Sequence, residues 1–168
     1  MRSDSPERHG MATKPKVLFL CTGNSSRSQM AEAFLRHYAG DAFEVFSAGT
    51  DPAGLNPGAV KAMAEVGIDI SQHRSKGVKE FLGKGFAFLI TVCDQANERC
   101  PVWPGVVNRL HWSFEDPARA EGTTEQKAQV FRRVRDEIKE HVLRLVQEVR
   151  ERRRLTGATS TRRAPATV

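Results

Sequence analysis

Cysteine is scarce in this 168-residue chain, with three in all, and tyrosine scarcer still, with one. Three thiols are too few for a disulfide-stapled scaffold. Their spacings lack a Cys-x2–4-Cys pair and no histidine stands beside one, so no metal site is expected, zinc least of all. No stretch approaches the roughly 18 consecutive apolar residues that a spanning helix needs, which excludes membrane insertion as a working expectation. Residues 1–14 carry charges where a secretory signal would carry an apolar centre, so the expected location is cytoplasmic. Internal repeats are lacking too.

What is present suits one domain: 39% hydrophobic residues and 27% charged residues on a chain of this length. The net charge of +6 is unevenly placed. From Glu151 onward there are five arginines against that single acid, without interleaved aromatics. We therefore expect a disordered N-terminal extension over 1–14, a folded domain over 15–150 and a disordered basic tail over 151–168. No specific nucleic-acid or membrane partner is expected.

Val17-Leu18-Phe19-Leu20 reads as a short strand buried on both faces, followed by a small-residue loop and a helix over about 28–38 that Gly40 can end. Glu44 to Ser47 reads as a second strand, Pro57 opens a helix ending at Gly67, and residues 77–82 are at best a short helix. Phe86 to Val92 is the clearest strand, Arg109 to Trp112 a fourth, and Thr124 opens a long helix with Val130, Val134, Ile138, Val142 and Leu145 on one stripe. The alternation predicts an α/β, single-domain, four-stranded parallel sheet flanked by helices on both faces. In such sheets ligands bind beyond the carboxyl ends of the strands, where Cys21, Ser47, Cys93 and the segment after Trp112 all fall.

The loop Cys21-Thr22-Gly23-Asn24-Ser25-Ser26-Arg27-Ser28 contains no acid and reads as an anion cradle. Inward-turned backbone N–H groups and the positive end of the next helix favour an oxyanion, and Arg27 can add a bidentate fork. Gly23 and Asn24 tolerate a left-handed backbone. The same field should lower the pKa of Cys21 below about 8.5, making it a thiolate nucleophile with Ser28 donating to the sulfur. Cys93 ends a strand expected to neighbour the first, and Cys100 lies in a weakly anchored segment. Alone, either is as readily a packed thiol as a reactive one.

Residues 21–28, extended by Gln29-Met30-Ala31-Glu32, resemble the phosphate-binding loop of the low-molecular-weight tyrosine phosphatase superfamily, with its Cys-x5-Arg-Ser signature. More narrowly they resemble that of the thioredoxin-coupled arsenate reductases built on that fold. Ser47-Ala48-Gly49, Asn56-Pro57, Thr91-Val92-Cys93, Cys100-Pro101, His111-Trp112 and Asp116-Pro117-Ala118-Arg119 match too, and the similarity spans about residues 16–149. The resemblance implies that Cys21 attacks arsenate, that Cys93 then attacks Cys21 with release of arsenite, and that Cys100 moves the disulfide to Cys93–Cys100 for reduction by thioredoxin. It implies arsenate as substrate, phosphate or sulfate as competing anions, Asp116 as general acid, and no resident cofactor.

Ala118 stands where the phosphatases usually carry an aromatic residue, which favours a small oxyanion over a phosphotyrosyl protein. Ser26 replaces a further cysteine of related reductases that lies outside the relay. Some relatives hold potassium at positions matching Asn24, Glu32, Ser47 and the neighbourhood of Arg74 and Lys76; two cations there imply no specific potassium site, or an ammonium in its place. The alternatives are a phosphatase acting on phosphomonoesters and a non-catalytic thiol redox sensor.

Overall fold

The computed structural model describes residues 14–100 and 103–159. Four strands form a parallel sheet: β1 (Lys16–Cys21), β2 (Glu44–Gly49), β3 (Phe88–Thr91) and β4 (Asn108–His111), in the order β2-β1-β3-β4. Between and after them lie α1 (Arg27–Ala39), α2 (Pro57–Glu65), α3 (Asp94–Arg99) and α4 (Thr124–Thr159). Two 3-10 turns, Val78–Phe81 and Pro117–Arg119, complete the elements.

Val17 through Leu20 are fully buried, as a central parallel strand covered on both faces requires. Side chains alternate across a sheet, so Leu18 and its partner Phe46 share one face while Phe19 points to the other. On the first face Phe46, Phe81, Phe86 and Trp103 form an aromatic cluster with ring centroids about 6 Å apart. On the second, Phe19 packs on Trp112, and α4 lays His141 against Trp112 and Phe114. The expected α4 stripe is buried at Val134, Ile138, Val142 and Leu145, and α1 and α2 both pack against this helix.

Three boundaries differ from expectation. β3 begins at Phe88, although Ala87 N still donates to the Lys16 carbonyl and the Phe86 carbonyl still accepts from Val107 N, while the buried Phe86 ring joins the aromatic cluster. Gly40 ends α1 in a right-handed conformation with φ −64°, whereas Gly67 after α2 does take the left-handed one at φ +80°. The domain does not stop at 150: α4 continues to Thr159, so residues 151–159 of the expected disordered tail are helical. The apolar stripe ends at Val149, beyond which the helix is sustained by its own backbone ladder and solvated arginines. The rest of the expected tail and nearly all of the N-terminal extension fall outside the described residues.

The strand order places the functional loops. The connection from β1 runs outward to β2, and the next returns across β1 to β3, so the order reverses between β1 and β3. A crevice at the carboxyl ends of these two strands is the place where open α/β sheets hold ligands. Cys21 closes β1, and Cys93 stands two residues beyond the end of β3.

Candidate active site

The loop after β1 is fixed by contacts from distant parts of the chain. Of the two residues able to tolerate it, Asn24 takes the left-handed conformation at φ +46° and Gly23 does not. Asn24 has its side chain fully engaged: Nδ2 donates to Ser28 Oγ (2.8 Å) and Ser47 Oγ (3.0 Å), while Oδ1 accepts from Lys76 N (2.8 Å) and Gln29 Nε2 (3.0 Å). The Gly23 carbonyl accepts from Ser75 Oγ and Ala53 N, and the Ser25 carbonyl from Asn56 N. Gly49 lets β2 come this close, since a Cβ there would lie 2.5 Å from the Thr22 carbonyl.

Inside this frame Cys21 Sγ lies 2.8 Å from Ser28 Oγ and accepts from Asn24 N at 3.1 Å. Burial pushes the Cys21 thiol above its ordinary value, against the lowering exerted by hydrogen bonds from the Ser28 hydroxyl, the Ser28 N–H and the Asn24 N–H. The neighbouring Cys93 sulfur also raises it. The expected depression of this pKa is therefore overturned by the depth at which the sulfur sits, 3% exposed.

Cys93 Sγ reaches the same loop, 3.4 Å from Thr22 Oγ1. It is also the N-cap of α3, accepting from Ala96 N at 3.4 Å, so the positive end of that turn faces the sulfur. Cys100 is the residue after α3 and half-buried; burial raises its thiol pKa while the Arg109 guanidinium lowers it. All three cysteines are free thiols.

Arg27 opens α1, donates Nη1 to the Phe114 carbonyl (3.0 Å), and holds Nη2 3.7 Å from Asp116. Asp116 caps the turn Pro117–Arg119, accepting from Ala118 N at 3.0 Å, which leaves its second oxygen toward Arg27 and Arg119. An open cavity of about 520 Å³ is lined by Arg27, Cys93, Asp94, Ser113 and Asp116 among others. Ser26 Oγ, buried in the loop, has no hydrogen-bond partner among the described residues. Arg27, Cys93 and Asp116 thus meet at one cavity, whose lining does not include the buried Cys21, while Cys100 stands at the far end of α3.

The layer behind the loop brings together Asn24, Glu32, Ser47 and Lys76, which the resemblance groups, with Arg36 and His73, which sequence reasoning missed. Glu32 is buried on α1, accepting from Ser47 Oγ (2.9 Å) and Arg36 Nη2 (3.0 Å). Lys76 Nζ approaches Glu32 (3.8 Å) and Ser47 Oγ (3.4 Å) and donates to the Arg74 carbonyl (2.9 Å). Desolvation lowers the Lys76 pKa and Glu32 opposes that shift. The resemblance supplies the sequence signal for Asn24, Glu32, Ser47 and Lys76, with an ammonium expected in place of potassium; Arg36 and His73 carry none. His73 completes it, 3.0 Å from Gln29 Oε1. Among the described residues no cluster of three or more metal-ligating side chains occurs.

The family model described as low molecular weight phosphotyrosine protein phosphatase matches residues 16–155. The arsenate reductase of Shouchella clausii (strain KSM-K16) is 55% identical over 126 residues, covering 75% of this chain and 91% of that protein. The arsenate reductase of Bacillus subtilis (strain 168) is 52% identical, covering 73% and 88%. Among solved structures, an arsenate reductase in the phosphate binding state superposes with TM-score 0.70 at 34% identity, over 80% of this chain and 98% of that one. A thioredoxin-dependent arsenate reductase of Corynebacterium glutamicum superposes with TM-score 0.67 at 29% identity, over 84% and 64%.

Proposed function

Because the chain belongs to the low molecular weight phosphotyrosine protein phosphatase family, we propose that it uses that family's anion loop to reduce arsenate to arsenite. The carrying observation is the placement of a second free thiol, Cys93, against the residue that follows Cys21. A phosphatase needs one sulfur at the loop; a two-electron reduction needs a second within reach.

In the first step the loop N–H groups and Arg27 hold arsenate while Cys21 forms the S–As bond. Monoanionic arsenate plus the thiol gives the monoanionic adduct and water, with Asp116 the group placed to pass a proton to the leaving oxygen. The raised thiol pKa means that Cys21 enters with its proton, which goes to the oxyanion or to Asp116. Ser28 and the Asn24 N–H then stabilise the sulfur as charge passes through it.

In the second step the Cys93 thiolate attacks Cys21 Sγ. The S–As electron pair leaves with arsenic, which falls from As(V) to As(III), and a Cys21–Cys93 disulfide remains. The Thr22 hydroxyl and the Ala96 N–H support the Cys93 thiolate. In the third, Cys100 attacks Cys93, regenerating Cys21 and leaving Cys93–Cys100 for an external dithiol; each exchange is a thiolate displacement. Thioredoxin is the proposed reductant, by analogy with the thioredoxin-dependent relative. Phosphate and sulfate are proposed as competing anions. Turnover through free thiols needs a reducing compartment, so a cytoplasmic location is part of the proposal.

The test is arsenate-dependent NADPH consumption with thioredoxin and thioredoxin reductase, run beside glutathione with glutaredoxin. Consumption with the first pair alone is expected. No consumption with either overturns the reading.

A further inference from the structure

The residues on either side of Cys93 are tied to the same imidazole. His111, the last residue of β4, pairs in register with Thr91, the last of β3. Its Nδ1 lies 2.7 Å from Thr91 Oγ1 and its Nε2 2.9 Å from Asp94 Oδ1. Asp94 Oδ1 also accepts from Ser113 Oγ at 3.0 Å. In the Nε2–H tautomer the ring donates to Asp94 and accepts from the Thr91 hydroxyl, which lies nearer to Nδ1 than to another acceptor, the Leu110 carbonyl at 3.4 Å. The hydrogen bonds from His111 and Ser113 hold the Asp94 carboxyl below its ordinary range, so the tie is charge-assisted.

Such a tie matters because α3 is a weak element. It has six residues, and its Ala96 is buried. Cys100 follows Cys93 by seven positions, which helical rise makes roughly 10 Å, whereas a disulfide needs Cα atoms within roughly 7 Å. The relay therefore requires α3 to open, yet the attack on Cys21 requires Cys93 to stay at the loop.

We propose that Thr91, His111, Asp94 and Ser113 form a latch that pins the Cys93 end of α3 to the sheet, with His111 as the positioning residue. The latch keeps the Cys93 thiol aimed at Cys21 while the Cys100 end is free to unwind. Forming the Cys21–Cys93 bond draws the sulfur off the Ala96 N–H, which uncaps α3 and favours that unwinding after the second step rather than before it. The significance of the latch for arsenate rests on the reductase reading above; the latch itself does not.

The experiment uses the full chain with Cys100→Ser, so that chemistry stops at the Cys21–Cys93 disulfide. Diamide, which takes two electrons and two protons from a thiol pair and becomes a hydrazide, forms that bond without arsenate. In this background His111→Ala slows disulfide formation by diamide about ten-fold or more, a loss of the size that small misplacements produce. It leaves p-nitrophenyl phosphate hydrolysis, which needs only Cys21 of the three thiols, within about two-fold. His111→Gln, whose amide can donate to Asp94, recovers most of the rate. Equal disulfide rates with and without His111, a parallel fall in phosphate hydrolysis, or no recovery with glutamine overturns the latch. Arsenite release from arsenate is followed in the same proteins. If none is released by either while the diamide result holds, the reductase reading fails and the latch stands.

Discussion

The Lys76 ammonium lies 3.8 Å from the Glu32 carboxylate and 3.4 Å from the Ser47 hydroxyl, directly behind the loop that carries Cys21. Its own backbone N–H holds Asn24 Oδ1, so one residue supplies both a cation for the buried acid and a donor for the loop's left-handed corner. A buried carboxylate is costly without a paired charge. In this chain that charge is covalently attached.

Potassium is therefore expected to leave the wild-type rate unchanged when it replaces sodium at constant ionic strength. Lys76→Ala removes the ammonium and leaves Glu32 dependent on Arg36 and His73. We expect kcat/KM to fall, with partial recovery in potassium but not in tetramethylammonium. Strong activation of the wild type by potassium would show that the ammonium does not fill this role.

Cys21 titrates high because it is buried, and Ser28 pulls it down. Ser28→Ala is expected to move the pH profile of Cys21 alkylation by iodoacetamide to higher pH. The fold also favours the protonated form, so below the ordinary thiol range near 8.5 the folded and unfolded chains hold the same proton. Above it the unfolded chain loses that proton first, and stability declines as pH rises toward the folded pKa. Urea midpoints between pH 7 and 10 should show this decline, and Cys21→Ser should flatten it.

The strand ends and the Cys21 to Ser28 loop were legible because each is a local pattern: a short apolar run, small residues, then a helix start. The layer behind the loop was reached only through the family resemblance, and its Arg36 and His73 not at all. Asn24, Ser47 and Lys76 are separated by 23 and 52 positions and meet only because β2 and the segment before Val78 close over β1. The link from His111 to Asp94 was hidden likewise, since it depends on β3 and β4 pairing so that Thr91 meets His111. The pKa direction of Cys21 was misjudged because local dipoles can be read from spacing, whereas burial to 3% exposure depends on the whole fold. The length of α4 was missed because its final turns carry no apolar stripe to read.

The three thiols divide the chemistry. Cys93→Ser should abolish arsenate turnover and retain most of any phosphomonoesterase activity, since Cys21 and the loop remain. Cys100→Ser should release one arsenite per chain and then stop with Cys21 joined to Cys93, as peptide mapping under non-reducing conditions would reveal. Arsenate turnover by Cys93→Ser at the wild-type rate would exclude the relay.

A packing prediction stands apart from the chemistry. A Cβ at Gly58, in the first turn of α2, would lie 2.7 Å from the Phe131 ring of α4. Phe131 is 7% exposed and borders, with Gly58, a cavity of about 190 Å³, so the ring gives way only by repacking toward that space. Gly58→Ala is expected to cost about 1–3 kcal/mol through overpacking, despite the better helix propensity of alanine. Urea denaturation measures it; an unchanged midpoint would mean that α2 and α4 separate easily.

Asp116 and Arg27 make opposite demands on the same cavity. Their charges are 3.7 Å apart, so each screens the other until an oxyanion arrives. Arg27 uses Nη1 on the Phe114 carbonyl, which fixes the plane of the guanidinium. Arg27→Lys keeps the charge and loses both that bond and the fork, so binding should weaken and competition by phosphate should weaken with it. Asp116→Asn keeps the cap on Ala118, because the amide oxygen still accepts, but it cannot carry a proton. Its kcat with arsenate should fall by about 10²–10⁴, the range typical of a lost general acid, with KM little changed. Stopped-flow measurement of the first arsenite released separates this step from the disulfide exchanges that follow. If Asp116→Asn releases that arsenite at the wild-type rate, the leaving oxygen takes its proton from Cys21 itself.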